Sequence, residues 1–164
     1  MANSSIISKA KNKIVREFIK NPELIKAIDS KKISEDQTEK FIGTHIFDYN
    51  QNPFTLQDVQ TFITIQVNIP NTLFHSQPFV KPQIEIWVIS HERHMKVDNI
   101  PKVMANRNDY ISELIDDMLN GRTDFGIGEM VLVINTEGIF QQDYVYRKLV
   151  FEATDFNKSV CKNG

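Results

Sequence analysis

Only one cysteine, Cys161, occurs among the 164 residues. No disulfide can close within the chain and no cysteine-rich metal site can be built, so a reducing compartment is expected. A dominant charge is missing as well: 19 Lys and Arg oppose 21 Asp and Glu, for a formal net charge of −2. A chain so balanced has no general attraction for phosphate backbones or anionic lipid. Hydrophobic runs are short, none approaching the ~18–20 residues that span a bilayer. The N-terminal MANSSIISKAKNK also lacks the apolar core of a secretory signal. The expectation is a soluble protein made inside the cell.

What is present is ordinary for a globular chain, 41% hydrophobic and 24% charged, enough to bury a core at this length. There is no internal repeat and no low-complexity tract. A single domain over residues 1–156 is expected, followed by a flexible polar tail at 157–164.

Ile6, Ile7, Ala10, Ile14, Val15, Phe18 and Ile19 recur at spacings of three and four, which predicts a helix over about 4–20 with one apolar stripe. Asn21-Pro22-Glu23 then offers a cap, a first-turn proline and a first-turn acid, so a second helix is expected to end near Ser30. Residues 31–58 read as a long loop region in which only His45-Ile46-Phe47 looks extended, and such loops tend to contact partners. TFITIQVNIP (61–70) and FVKPQIEIWVIS (79–90) alternate as strands. Asn108-Asp109 reads as the cap of a third helix bearing Ile111, Leu114, Ile115, Met118 and Leu119, stopped by Asn120-Gly121. MVLVIN (130–135) and YVYRKLVFEAT (144–154) read as a hairpin turning about Glu137-Gly138. The order makes an α+β fold: two layers, a roughly four-stranded, mostly antiparallel sheet, and helices on one face.

Chemistry is sparse. WVISHERHMK (87–96) places His91 and His94 three apart, whereas a helical zinc site needs histidines four apart, and a third ligand could come only from His45 or His75. Following a strand, His91 and His94 read as loop residues. Phe125-Gly126-Ile127-Gly128 lacks the third glycine and the Lys-Ser/Thr pair of a phosphate loop, so its glycines serve a sharp turn. Glu113, Asp116 and Asp117 read as the solvated face of the third helix, as do Lys9, Lys11, Lys13, Arg16 and Lys20 on the first. Ser90 has only His91 beside it in sequence, and on a strand that neighbour points away. No catalytic residue, metal ligand or cofactor is expected. By contrast, Trp87 and Ile89, with Tyr144, Tyr146 and Val150, fall on the sheet face that one helix layer cannot cover, where exposed aromatic groups mark interfaces.

IEIWVISHER (84–93), ISELIDDMLNG (111–121) and YVYRKLVFEATDF (144–156) together resemble the tail terminator, or tail-completion, and neck proteins of tailed bacteriophages. The likeness covers roughly the C-terminal half and fits the helix-first order of the rest. It implies a non-enzymatic structural subunit of the virion, made in the bacterial host cytoplasm, that forms a ring, usually hexameric. Such a ring caps the tail tube and joins it to the head connector or stopper. It also implies subunit contacts through Trp87, Ile89, Tyr144, Tyr146 and Val150, and partner contacts through Tyr49, Phe54, Phe74 and His75 in the loops. Neither a membrane nor a sequence-specific nucleic acid is a partner on this reading, although DNA would pass through the ring. The other class of function, a small metal-dependent hydrolase or nuclease using His91 and His94, explains only the histidines.

Overall fold

Asn21 closes one helix and opens the next. Its backbone N–H donates to Phe18 O at 3.2 Å while its side-chain oxygen accepts from Leu24 N at 3.0 Å. Pro22 sits where a helix needs no N–H. Helix α1 runs Ser4–Lys20 and α2 runs Pro22–Ile28, as the spacing predicts. Asp29 ends α2 in the left-handed region, at φ 52°. The computed structural model describes residues 4–51, 58–68, 79–153 and 155–156, so Phe54, Phe74, His75 and the 157–164 tail lie outside the described residues.

The fold is α+β. Its main sheet takes in β1 (Ile46–Phe47), β2 (Thr61–Asn68), β4 (Gln83–His91), β5 (Met130–Gln141) and β6 (Tyr144–Ala153), in the order β1-β2-β4-β6-β5. All neighbours are antiparallel except β1 and β2, which are parallel. Strands β3 (Phe79–Val80) and β7 (Asp155–Phe156) pair separately beyond the ends of β4 and β6. Helix α3 spans Arg107–Leu119. It lies over β4 and β6, α1 lies over β2, and α2 packs against both helices.

Period-two alternation sends Ile63 and Ile65 of β2, Ile84, Ile86 and Val88 of β4, and Leu149 and Phe151 of β6 toward the helices. There they meet Ile14 and Phe18 of α1 and Ile111, Ile115 and Leu119 of α3 in one core. Each such side chain, once fully buried, contributes about 1.5–3 kcal/mol.

Four expectations change. A fifth strand, β1, joins the sheet. Residues 31–58 are not a featureless loop where they are described: a 3-10 turn at Thr38–Phe41 and strand β1 bury Phe41, His45, Ile46 and Phe47. Helix α3 is capped by Asn106, whose oxygen accepts from Asp109 N at 2.9 Å, which frees Asn108 for the interior. Strand β5 runs through Glu137-Gly138 and turns at residues 142–143, because Gly138 leaves room for a ring from β6 instead of bending the chain. The glycines at 126 and 128 do serve a turn, at φ +81° and +92°.

Candidate functional site

Thr61, the first residue of β2, is where the sheet, the helices and the 29–45 segment meet. Its carbonyl accepts from His45 Nδ1 at 2.7 Å. Its hydroxyl lies 2.8 Å from His94 Nδ1 and 2.7 Å from Ser90 Oγ. Ser90 Oγ donates in turn to Asn108 Oδ1 at 2.6 Å, and His94 Nε2 faces Asp29 Oδ2 at 3.2 Å. Thr61 and Ser90 are fully buried, and His45, His94 and Asn108 nearly so. Register explains the meeting: Thr61 pairs with Ser90 across β2 and β4, and both point toward the helices.

Beneath this network Arg107, fully buried, ties two chain segments by three carbonyls: His94 O at 2.6 Å and Lys96 O at 2.7 Å after β4, and Ala27 O at the end of α2. Asp29 lies 3.5 Å from it, an ion pair that offsets part of the cost of burying the guanidinium. Burial holds the pKa of His94 below the ordinary histidine value, with the Arg107 charge acting the same way and Asp29 opposing. Burial likewise lowers His45. Burial would raise the Asp29 carboxyl, but hydrogen bonds from Lys31 and His94 hold it below its usual value. Both shifts favour the uncharged rings. With its Nε2–H on Asp29, a neutral His94 accepts at Nδ1 from the Thr61 hydroxyl, and Ser90 donates to Asn108.

Hydroxyl, imidazole and carboxylate in sequence suggest a nucleophilic triad, yet the Thr61 and Ser90 hydroxyls have no path to a substrate. The network holds α2, β2, β4 and α3 in register. Sequence reasoning placed His94 in a loop and overlooked Thr61, Asp29 and Arg107, because nothing in their spacing announces a shared interior. His91 ends β4, half-buried, with its Nδ1 accepting from Arg93 N at 3.1 Å and its ring edge-on to Tyr144. His94 already spends both nitrogens. Among the described residues no group of three or more His, Cys, Asp and Glu is placed to hold a metal ion.

The outer sheet face carries a second cluster. Phe47, Phe62, Ile89 and Tyr144 are buried there, with Trp87, Phe140 and Tyr146 packed against them. The rings of Trp87 and Tyr146 are 4.7 Å apart, Phe140 stands edge-on to both, and Lys148 Nζ lies 5.0 Å from the Trp87 ring. The expectation of an open aromatic face is corrected in part. Ile89, Tyr144 and Val150 are covered by the chain itself, Tyr144 through a bond from its hydroxyl to Asp58 O at 2.9 Å. Trp87 and Tyr146 keep partial exposure. Tyr49, expected in a partner-contacting loop, is 51% exposed and edge-on to Phe47.

A further apolar surface was not foreseen. Among the described residues strand β5 ends the sheet, paired with β6, and exposes Val131, Val133, Ile134 and Ile139, the last at 76%. A long edge strand with unpaired backbone groups and apolar side chains invites another chain unless charge or proline blocks it. Its one carboxylate within the strand, Glu137, is occupied by Arg147 at 3.2 Å.

Fold and surfaces together define an α+β domain with a sealed polar interior and an edge strand, β5, whose first residues are held by the 120–122 turn and whose side chains at 131, 133, 134 and 139 are exposed. The chain belongs to the YomW family, whose model matches residues 21–153, and that family is phage-related. No curated protein matches the chain. Among the described residues no helix is long and apolar enough to cross a membrane.

Proposed function

We propose that this protein is a structural subunit of the phage neck, a tail terminator that assembles as a ring on the end of the tail tube and joins it to the head connector. The observation that carries the reading is the apolar edge strand β5, whose Val131, Val133, Ile134 and Ile139 are exposed among the described residues, in a chain of a phage-related family. A monomer gains nothing from such an edge, whereas an assembly subunit uses it for its neighbours. The sealed Thr61 network supports the same reading, since it stiffens the junction between helices and sheet without offering a reactive group. On this reading the subunit is not an enzyme, works in the virion, and has itself, the tube protein and the connector or stopper as partners.

The test is assembly. Light scattering and negative-stain microscopy of the purified chain, alone and with polymerising tail tubes, are expected to show rings and tubes of arrested length. A chain that stays monomeric at every concentration and leaves tube growth unchanged overturns the proposal.

A further inference from the structure

Strand β5 is open only in its middle. Its start is taken by the preceding turn: Met130 N donates to Arg122 O at 2.9 Å, Gly121 N to Met130 O at 2.7 Å, and Leu132 N to Asn120 Oδ1 at 3.1 Å. Bulges then break its pairing with β6 between Leu132 and Ile134 and again between Ile139 and Gln141. Between the bulges residues 134–139 run in regular register against β6, and among the described residues no strand pairs with their far side. Bulges and charges are what ordinarily blunt a sheet edge. Here the bulges only bracket the window, and its single charge, on Glu137, is matched by Arg147 within the chain.

The opposite edge of the sheet is a poor mate for this window. Strand β1 is two residues long, and its free side is met at Ile46 by the chain itself, through the bridge from Ile42 and through Gly43 N donating to Ile46 O at 2.9 Å. A second copy therefore offers its own 134–139 window. We propose that these residues pair with the same residues of a second copy, antiparallel about Thr136, and join two main sheets into one. Contact of like with like is isologous and has a two-fold axis. An axis perpendicular to the sheet makes the strands antiparallel and keeps each sheet face continuous, so opposed residues share a face and the axis passes through a residue. The two at the middle of the window are Thr136 and Glu137. An axis at Glu137 sets two carboxylates directly opposite each other, which is unfavourable; Thr136 remains. In that register Ile134, 44% exposed, lies opposite Gly138 of the other copy, beside the Tyr146 ring laid over that glycine, and Asn135 faces Glu137, amide to carboxylate. The inference rests on the assembly reading above and names one contact in it. An isologous contact closes on itself, so a ring built on it is a ring of pairs with an even number of copies.

Cross-linking tests it. Thr136 and Asn135 are exposed, and each is changed to Cys together with Cys161→Ser, so that one thiol remains per chain. Directly opposed residues bring their Cβ atoms to about 4.5–5.5 Å. Mild oxidation with copper phenanthroline is therefore expected to link most Thr136→Cys chains into disulfide dimers, and Asn135→Cys, whose mate is residue 137, at least fivefold less. Light scattering checks that the reduced variants assemble. Hydrogen exchange on the wild type replaces any that does not: the amides of 134–139 should slow at least tenfold between dilute and assembled protein. No dimer from Thr136→Cys, or exchange in 134–139 that ignores assembly, overturns the pairing while the ring stands. A wild type that pairs in this way but forms no ring overturns the terminator reading alone. A wild type that never assembles, even on tail tubes, overturns the ring reading and this inference with it.

Discussion

Tyr146 lies across Gly138: a methyl group on residue 138 would sit 2.8 Å from the tyrosine hydroxyl and 2.9 Å from Cζ. The two residues pair directly between β5 and β6, and the absent side chain of one makes space for the ring of the other. Glycine weakens a strand by itself, but a cross-strand aromatic laid over it restores packing. Here the same ring also packs on Trp87 and Phe140.

Gly138→Ala should therefore push Tyr146 off its place and loosen the outer cluster, at a cost of about 1–3 kcal/mol from overpacking. Trp87 is the sole tryptophan, so its fluorescence reports this locus directly. A lowered denaturation midpoint with a changed Trp87 emission is expected. Unchanged stability and emission would mean that Tyr146 moves aside freely.

Arg107→Met should destabilise the fold by about 3–5 kcal/mol. It uncaps the carbonyls of Ala27, His94 and Lys96 and takes from Asp29 one of its two cationic neighbours, Lys31 at 2.7 Å being the other. Urea unfolding measures it, and a loss below about 1 kcal/mol would show that the three carbonyls find water instead.

Acid should weaken the protein in two stages. His45 and His94 have folded pKa values below the ordinary 6.5, so the unfolded chain binds protons more readily. Their contribution is complete above pH ~6.5 and is lost as pH falls from there toward the depressed values, at up to about 1.4 kcal/mol per pH unit for each ring. Asp29, lowered from 3.8, extends the loss to more acidic solutions. Unfolding free energy followed from pH 7.5 to 4 should fall in that window. His94→Gln, though less stable, should give a flatter profile; an identical slope would exclude His94 as a source.

Ile134→Lys places a charge on the β5 edge, at a residue 44% exposed. Monomer stability should stay within about 0.5 kcal/mol, while self-association measured by light scattering should fall at least tenfold. Undiminished assembly would remove the edge from the interface.

The N-terminal helices were legible because α1 and α2 form by local rules: the apolar stripe from Ile6 to Ile19 and the Asn21-Pro22 cap need no distant partner. Strands β2 and β4 showed in their alternation for the same reason. Gly138 misled because a glycine in sequence marks a bend, and only Tyr146, eight residues on, shows that it marks a close approach. His94 gave no sign of burial, since its environment comes from Asp29, Thr61 and Arg107, which lie 65, 33 and 13 residues away.

By itself the sequence determined the α+β class, the helix stripes, the alternating strands, and the balanced charge and lone cysteine that exclude a disulfide framework. Those properties follow from residue periodicity and composition, which act within a few residues. Tertiary structure alone decided which edge strand exposes apolar side chains, which histidine is sealed, and that Arg107 ties α3 to the end of α2. Each depends on which segments the folded chain brings side by side, and no local rule encodes that.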